Sequence, residues 1–191
     1  MTTHETRAHE TRAYEMTAHG TRAYEMTAHG TTAYEIDPVE RLRIMAAGVR
    51  GARIAEEVLP VPFEEVWAVM ADLEGEFGRF QPDMRRVRVL RVAGDRVEAL
   101  ARSKYGFRAH LRGFVRPGWC WLQSRFLVIG MAAAPVPGPG GGTRVALTGG
   151  VRVRFPGRAP AVVPFGTASE LARAMDLLAE RVSDRRTGPV E

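Results

Sequence analysis

The residues whose types can do chemistry are few: five histidines, one cysteine, and the run WCWLQSR at 119 to 125. Four of the histidines, His4, His9, His19 and His29, fall in the first thirty residues with glutamates close by, a donor set that can bind a transition metal weakly. Spacings of five and ten residues preorganise no tetrahedral site, so no metal is assigned to them. His110 is the one histidine left in the remainder of the chain. It reads as a surface residue, because a general base needs an orienting partner and a water-limited site. The single Cys120 excludes an internal disulfide framework and a cysteine-based zinc cluster. No HExxH, CxxC, GxSxG or paired-carboxylate motif occurs after the N-terminal tail, and no cofactor is implied. PGPGGGTR (137 to 144) lacks the lysine of a phosphate loop and lies between two strands, so it reads as a hairpin turn.

The elements that must position these residues form an α+β pattern. ARIAEEVLPVP reads as a short strand, and PFEEVWAVMADL (62 to 73) as a helix with Pro62 in its first turn, Glu64 and Glu65 at its positive end, and Val66, Val69, Met70 and Leu73 as its apolar stripe. The period then becomes two. Stretches 84 to 92, 96 to 105, 107 to 116, 119 to 132 and 143 to 155 are five candidate strands with short turns between them, hence an antiparallel meander. A final helix follows at 167 to 186, with Thr167 and Glu170 as a capping box and Leu171, Met175, Leu178 and Val182 on one face. A sheet with one apolar face must bury it, and this helix is the large partner available.

Strand parity assigns faces. On 107 to 116 it sends Phe107, Ala109, Leu111, Gly113 and Val115 inward and Arg108, His110, Arg112, Phe114 and Arg116 outward. On 96 to 105 it sends Val97, Ala99, Ala101, Ser103 and Tyr105 inward, with Arg102 and Lys104 outside. The strand at 119 leaves two choices: Trp119, Trp121, Gln123 and Arg125 inward, or Cys120, Leu122, Ser124 and Phe126. An apolar wall with a few placed polar groups is what ligand cavities have, which favours the tryptophans. The candidate ligand-binding set is therefore Trp67, Ser103, Tyr105, Trp119, Trp121, Gln123, Arg125 and Met175.

Charge divides the chain sharply. Residues 1 to 40 carry three basic and seven acidic side chains, whereas residues 84 to 158 carry fifteen basic and two acidic. The acidic part holds TRAYEMTAHG twice in succession, a unit too short for a solenoid and poor in large apolar side chains. The organisation expected is a disordered repeat tail at 1–40, a linker at 41–52, one domain at 53–186 and a short tail at 187–191. The acidic tail can reach the basic face of its own domain at high effective concentration. No basic n-region precedes an apolar h-region, and the longest apolar run (126 to 137) is broken by Gly130 and Pro135, which reads as a soluble cytoplasmic protein.

The segment VLPVPFEEVWAVMADLEGEFGRFQPDMRRVRVL (58 to 90), the GGTRV hairpin entry (141 to 145) and the closing helix resemble the START-like superfamily, also called SRPBCC or polyketide cyclase/dehydrase-like. The resemblance covers about residues 53 to 184. It implies the helix-grip fold, a curved antiparallel sheet wrapped around a long C-terminal helix, with a cavity between them for a hydrophobic or amphipathic molecule. It also implies either a carrier or a polyketide-type cyclase. In the cyclase case Tyr105 and Arg125 are the groups placed to polarise a carbonyl. WCWLQSR is similar to the W-x-W-x-x-x-R strand of that superfamily's aromatase/cyclases, on a later strand, and no catalytic role is carried over from it.

A second reading needs no cavity. Arg86, Arg88, Arg102, Lys104, Arg108, Arg112, Arg116, Arg144, Arg152 and Arg154 fall on the outward parity of four strands, a face able to hold nucleic acid, anionic lipid or an acidic protein. No zinc finger, helix-turn-helix or RNP motif accompanies it, and aromatics do not interleave the arginines apart from Phe114.

Overall fold

A computed structural model of the chain describes residues 36–138, 140–153, 161–164 and 168–187, with side chains for 36–138, 140–150 and 170–187. It also describes two short pieces of backbone nearer the N-terminus, β1 (Ala23–Tyr24) and β2 (Ala33–Tyr34). They pair antiparallel, Ala23 with Tyr34 and Tyr24 with Ala33. The chain divides into two units at Glu35, and the architecture below is that of the second.

The second unit opens with α1 (Pro38–Ala47), where a linker was expected. The cause is local. Asp37 caps the helix by accepting from the backbone N–H of Val39 at 3.0 Å and of Glu40 at 3.1 Å, and Pro38 occupies the first turn, where a missing N–H costs nothing. Val39, Leu42 and Ala46, on one side of this helix, are buried.

The remaining elements follow in the order β3 (Ile54–Leu59), α2 (Phe63–Ala71), α3 (Phe77–Phe80), β4 (Met84–Ala93), β5 (Arg96–Ser103), β6 (Arg108–Arg116), β7 (Trp119–Gln123), β8 (Leu127–Pro135), β9 (Thr143–Val153), β10 (Ala161–Pro164) and α4 (Ala168–Thr187). The sheet is antiparallel in the order β10-β9-β8-β7-β6-β5-β4, with β3 paired to the first half of β9 on the side where β10 pairs its end. The curved sheet and long C-terminal helix are the helix-grip arrangement expected from the sequence.

The strand expected at 119 to 132 is two strands. Ser124 makes the break: its Oγ accepts from the N–H of Leu127 at 2.9 Å and of Phe126 at 3.2 Å, while its own N–H bonds to the carbonyl of Leu127 at 2.7 Å. Gly113 permits the close approach of β7 to β6 beside this break, since a Cβ on it would overlap the carbonyl of Trp121.

Two cores result, one on each face of the sheet. The inner core joins Val97, Ala99, Ala101, Leu111, Cys120, Leu122, Ile129, Met131, Val145 and Leu147 to the apolar sides of α2, α3 and α4, including Val66, Phe77, Leu171, Met175, Leu178 and Val182. The outer core places Val39 and Leu42 of α1 on Trp119, Trp121, Val128, Ala132, Ala134 and Ala146. Gly130 makes the second contact possible, because a Cβ there would stand 2.7 Å from Cδ1 of Leu42.

Candidate functional site

Between the sheet and α4 the interior is nearly filled. The cavity there measures about 10 Å³ and is lined by Phe77, Gln81, Ile129, Met131, Leu147, Thr148 and Leu171, with backbone from Gly130 and Gly149. Gln81 and Thr148 are its polar residues, and the Thr148 hydroxyl is engaged elsewhere, its Oγ1 donating to the carbonyl of Arg53 at 2.6 Å. Thr143 anchors the start of β9 in the same way, donating to the carbonyl of Val61 at 2.7 Å.

Of the residues expected to line the cavity, Met175 is buried in the inner core and Trp67 is packed half-buried against it. The rest are elsewhere. Trp119 and Trp121 lie on the outer face beneath α1, and Cys120 and Leu122 point inward in their place. This corrects the favoured parity, and the reason is α1: once a helix covers the outer face, aromatic side chains are buried there as well. Trp119 is also flanked by guanidinium groups, those of Arg116 at 5.3 Å and Arg41 at 5.8 Å from its ring centroid.

Tyr105 is displaced because β5 ends at Ser103 and the chain turns. The Ser103 Oγ accepts from the N–H of Phe107 at 3.0 Å, and Gly106, at φ 86°, completes the turn that leaves Tyr105 exposed. Gln123 and Arg125 are exposed at the β7–β8 turn.

Tyr105 does meet partners that the sequence did not indicate. The Asp83 carboxylate beside it raises its pKa, chiefly by Coulombic repulsion of the phenolate. Glu170, in the first turn of α4, also lies close to Asp83. Its pKa is raised by desolvation first and by that carboxylate second, and its Oε2 is buried without a hydrogen-bond partner. Lys104 donates its backbone N–H to the carbonyl of Asp83 at 2.9 Å, which fastens the β5–β6 turn to the segment before β4. No spacing in the chain joins residues 83, 105 and 170, so their meeting is a product of the fold alone. Gln81 and Leu171, neighbours of the two carboxyls in sequence, line the cavity.

The outward face of β4, β5 and β6 carries arginine. The cross-strand register sets Arg86 opposite Arg102 and Arg102 opposite Arg108, a row of three exposed guanidinium groups. Arg88, Lys104 and Arg112 are exposed as well. Two other members of the expected stripe are engaged: Arg116 stacks over Trp119, and Arg144 Nη2 pairs with Asp37 Oδ1 at 2.8 Å. The side chain of Arg152, Arg154 itself and the contact expected of the acidic tail lie outside the described residues, as do the four tail histidines. Glu98 is the carboxylate within the face, its Oε2 lying 3.5 Å from Nε2 of His110 and its Oε1 3.5 Å from Nε of Arg112.

Beside that pair the sheet has a step. The last β6–β7 pairing is Arg112 with Gln123, so residues 108 to 111 of β6 have no partner on that side. An open cleft of about 360 Å³ occupies the step, lined by His110, Arg112, Gln123, Ser124 and Arg125.

Among the described residues no cluster of His, Cys, Asp and Glu is arranged to hold a metal ion, and no helix is long and apolar enough to cross a membrane. Cys120 is buried, which pushes its thiol up to about 12.

No family model and no curated protein matches the chain. Solved structures do match it. TTHA0849 from Thermus thermophilus is 19% identical with a TM-score of 0.51, over 71% of this chain and 99% of that one. The Zhui aromatase/cyclase from Streptomyces sp. R1128 is 13% identical with a TM-score of 0.51, over 72% and 97%. A START superfamily protein from Mycobacterium smegmatis is 15% identical with a TM-score of 0.47, over 70% and 98%. For the two structures with a TM-score of 0.51, the property shared at these identities is the fold.

Proposed function

From a chain whose fold is the START-like helix grip, we propose that the protein binds a small hydrophobic or amphipathic molecule between its sheet and α4, as a carrier. The observation that carries this reading is the lining of the interior. Elements α3, α4, β8 and β9 converge apolar side chains on one small cavity where Gln81 is the free polar group. A cavity of about 10 Å³ holds no such ligand as it stands, so binding requires the sheet and α4 to part. The elements that would move relative to each other are joined by side-chain contacts more than by backbone ladders, since α4 is held through Glu76, Glu65 and the carbonyl of Ala68.

Carriage is favoured over cyclisation by the location of the polar groups. Tyr105 and Arg125, the two side chains with the chemistry to polarise a carbonyl, are exposed on turns. Gln81 can orient a ligand but does not exchange protons.

The test is titration of the full chain with the neutral probe N-phenylnaphthylamine, alongside native mass spectrometry of protein taken directly from its host. Saturable probe fluorescence and a co-purifying small molecule are the expected results. A chain that binds no apolar probe and carries no ligand contradicts the reading.

A further inference from the structure

We propose that the step in the sheet between β6 and the β7–β8 turn is a binding site for a phosphate monoester. The site is distinct from the grip interior: its lining residues, His110, Arg112, Gln123, Ser124 and Arg125, face the outside of the sheet or its turn. Its origin is structural. Ser124 ends β7 early by accepting two backbone N–H groups, while β6 continues past it, and the gap between them is the cleft.

The chemistry of the lining fits a doubly charged oxyanion. Two guanidinium groups, Arg112 and Arg125, offer the planar forks that match phosphate oxygens. Arg125 has no ion pair among the described residues. Arg112 meets Glu98 through Nε at 3.5 Å, which leaves its Nη groups for an anion in the cleft. The same carboxylate lies 3.5 Å from His110 Nε2, so one acidic group on β5 faces two side chains of the cleft. The Ser124 hydroxyl already accepts two hydrogen bonds, and its own proton is left to donate. The Gln123 amide adds a donor and an acceptor able to read a hydroxyl on the attached group.

Charge and size favour this ligand over the alternatives. One carboxylate stands against Arg112 and Arg125 in the site, and Arg108, on the same face of β6, adds to the positive field. A cleft of about 360 Å³ exceeds what an inorganic ion fills, so the phosphate is carried on an organic body. An extended nucleic-acid strand is disfavoured because Tyr105 and Phe107, the most exposed aromatics among the described residues, sit on the β5–β6 turn and do not line the cleft.

The experiment uses the full chain and three probes: inorganic phosphate, phenyl phosphate, and phosphatidylcholine vesicles with and without phosphatidic acid. Calorimetric titration gives the affinity, and NMR follows the His110 ring and the arginine Nε–H signals. Saturable binding of phenyl phosphate at one site, tighter than inorganic phosphate and moving the His110 signals, is expected. Arg125→Gln and Arg112→Gln each weaken it by roughly tenfold or more, as loss of a charge-assisted hydrogen bond should. The double variant Arg86→Gln/Arg102→Gln, outside the cleft, changes affinity by less than about twofold, the weak effect of a screened surface charge. If instead only phosphatidic acid vesicles bind, and Arg125→Gln releases them, the phosphate belongs to a lipid headgroup and the site stands. Equal losses in the two sets of variants mean a diffuse charged surface and overturn the proposal, as does the absence of saturable binding with every probe. Arg125 is exposed on a turn, so Arg125→Gln leaves the fold intact and keeps the test decisive.

Discussion

Arg181 of α4 and Glu76, which leads into α3, form the most enclosed ion pair of the described residues: Nε donates to Oε2 at 3.0 Å and Nη2 to Oε1 at 3.3 Å. Glu76 is only 7% exposed. The bidentate bond raises the Arg181 pKa, its hydrogen bond to Glu76 being the largest cause. The pair ties the helix to the short element that forms one wall of the cavity, so it acts on the same opening that ligand entry requires.

Removing one partner costs the other its closest bidentate bond, leaving Glu76 with Arg79 at 3.8 Å and Arg181 with Asp184 at 2.8 Å. Arg181→Met is therefore expected to destabilise by about 3 kcal/mol, the lower end for a buried pair, because Arg181 keeps partial contact with water. Urea unfolding of Arg181→Met, Glu76→Gln and the double variant measures this. A double variant no less stable than either single one is the expected signature of coupling, and additive losses would show that the pair is not coupled.

α1 gives a second prediction. Leu42 is fully buried against the outer face and its seat over Gly130 has no space to spare. Leu42→Ala should cost about 2–4 kcal/mol by loss of burial and the void it leaves. Because the same helix covers Trp119 and Trp121, their emission should shift to longer wavelength in native buffer. An unchanged spectrum with a full loss of stability would mean that the tryptophans are shielded by something other than α1.

The difference between expectation and structure has a physical source at this helix. The signals for the grip were strong where the apolar period was clear: the α4 stripe Leu171, Met175, Leu178 and Val182 is buried as expected, and the inward sets on β5 and β6 hold at Val97, Ala99, Ala101, Ala109, Leu111 and Val115 but fail at Tyr105 and Phe107, which the turn leaves exposed. Parity says which residues share a face, but not which face is covered. With α1 unread, Trp119 and Trp121 had one buried place to go, and the wrong one was favoured. The signal was present in Asp37-Pro38-Val39-Glu40, a cap followed by proline and a first-turn acid. The Asp83, Tyr105 and Glu170 grouping had no comparable signal, since it depends on where a loop, a turn and a helix end meet. The cleft was partly legible, in that Arg112 was expected outside, but Gln123 and Arg125 reach it only because Ser124 breaks the strand.

Glu170 predicts a pH effect. Its folded pKa is raised above the ordinary value of 4.5, so the folded state holds this proton more tightly than the unfolded chain. The contribution to stability is present below that value and is lost as pH rises through the folded pKa. Glu170→Gln removes the titration. Its stability relative to the parent should increase between acid and neutral pH, measured by urea midpoints on both sides of the transition. A constant difference across that window would mean that the carboxyl ionises as freely in the folded state as in the unfolded one.

Cys120 provides a probe of opening. Its thiol is buried on the inner face of β7 and pushed up to about 12, so almost none is thiolate at neutral pH. Labelling by a disulfide reagent should be slow and should follow the rate at which the grip opens or unfolds. Addition of an apolar ligand that occupies the interior is expected to slow it further, and labelling as fast as that of a free thiol would show that the inner face is open to solvent.

Met131 tests the interior directly. Its side chain is 1% exposed and lines the small cavity, so Met131→Ala should cost about 2–4 kcal/mol and leave a larger apolar void. Apolar voids of that kind stay dry and accept apolar guests. If the grip is the binding site, the variant should bind N-phenylnaphthylamine more tightly than the parent despite its lower stability, because less separation of sheet and α4 is needed. Leu90→Ala is the control, since Leu90 is 50% exposed on β4 and its removal creates no interior space. Equal probe affinity in the parent, Met131→Ala and Leu90→Ala would locate apolar binding on the surface and count against carriage within the grip.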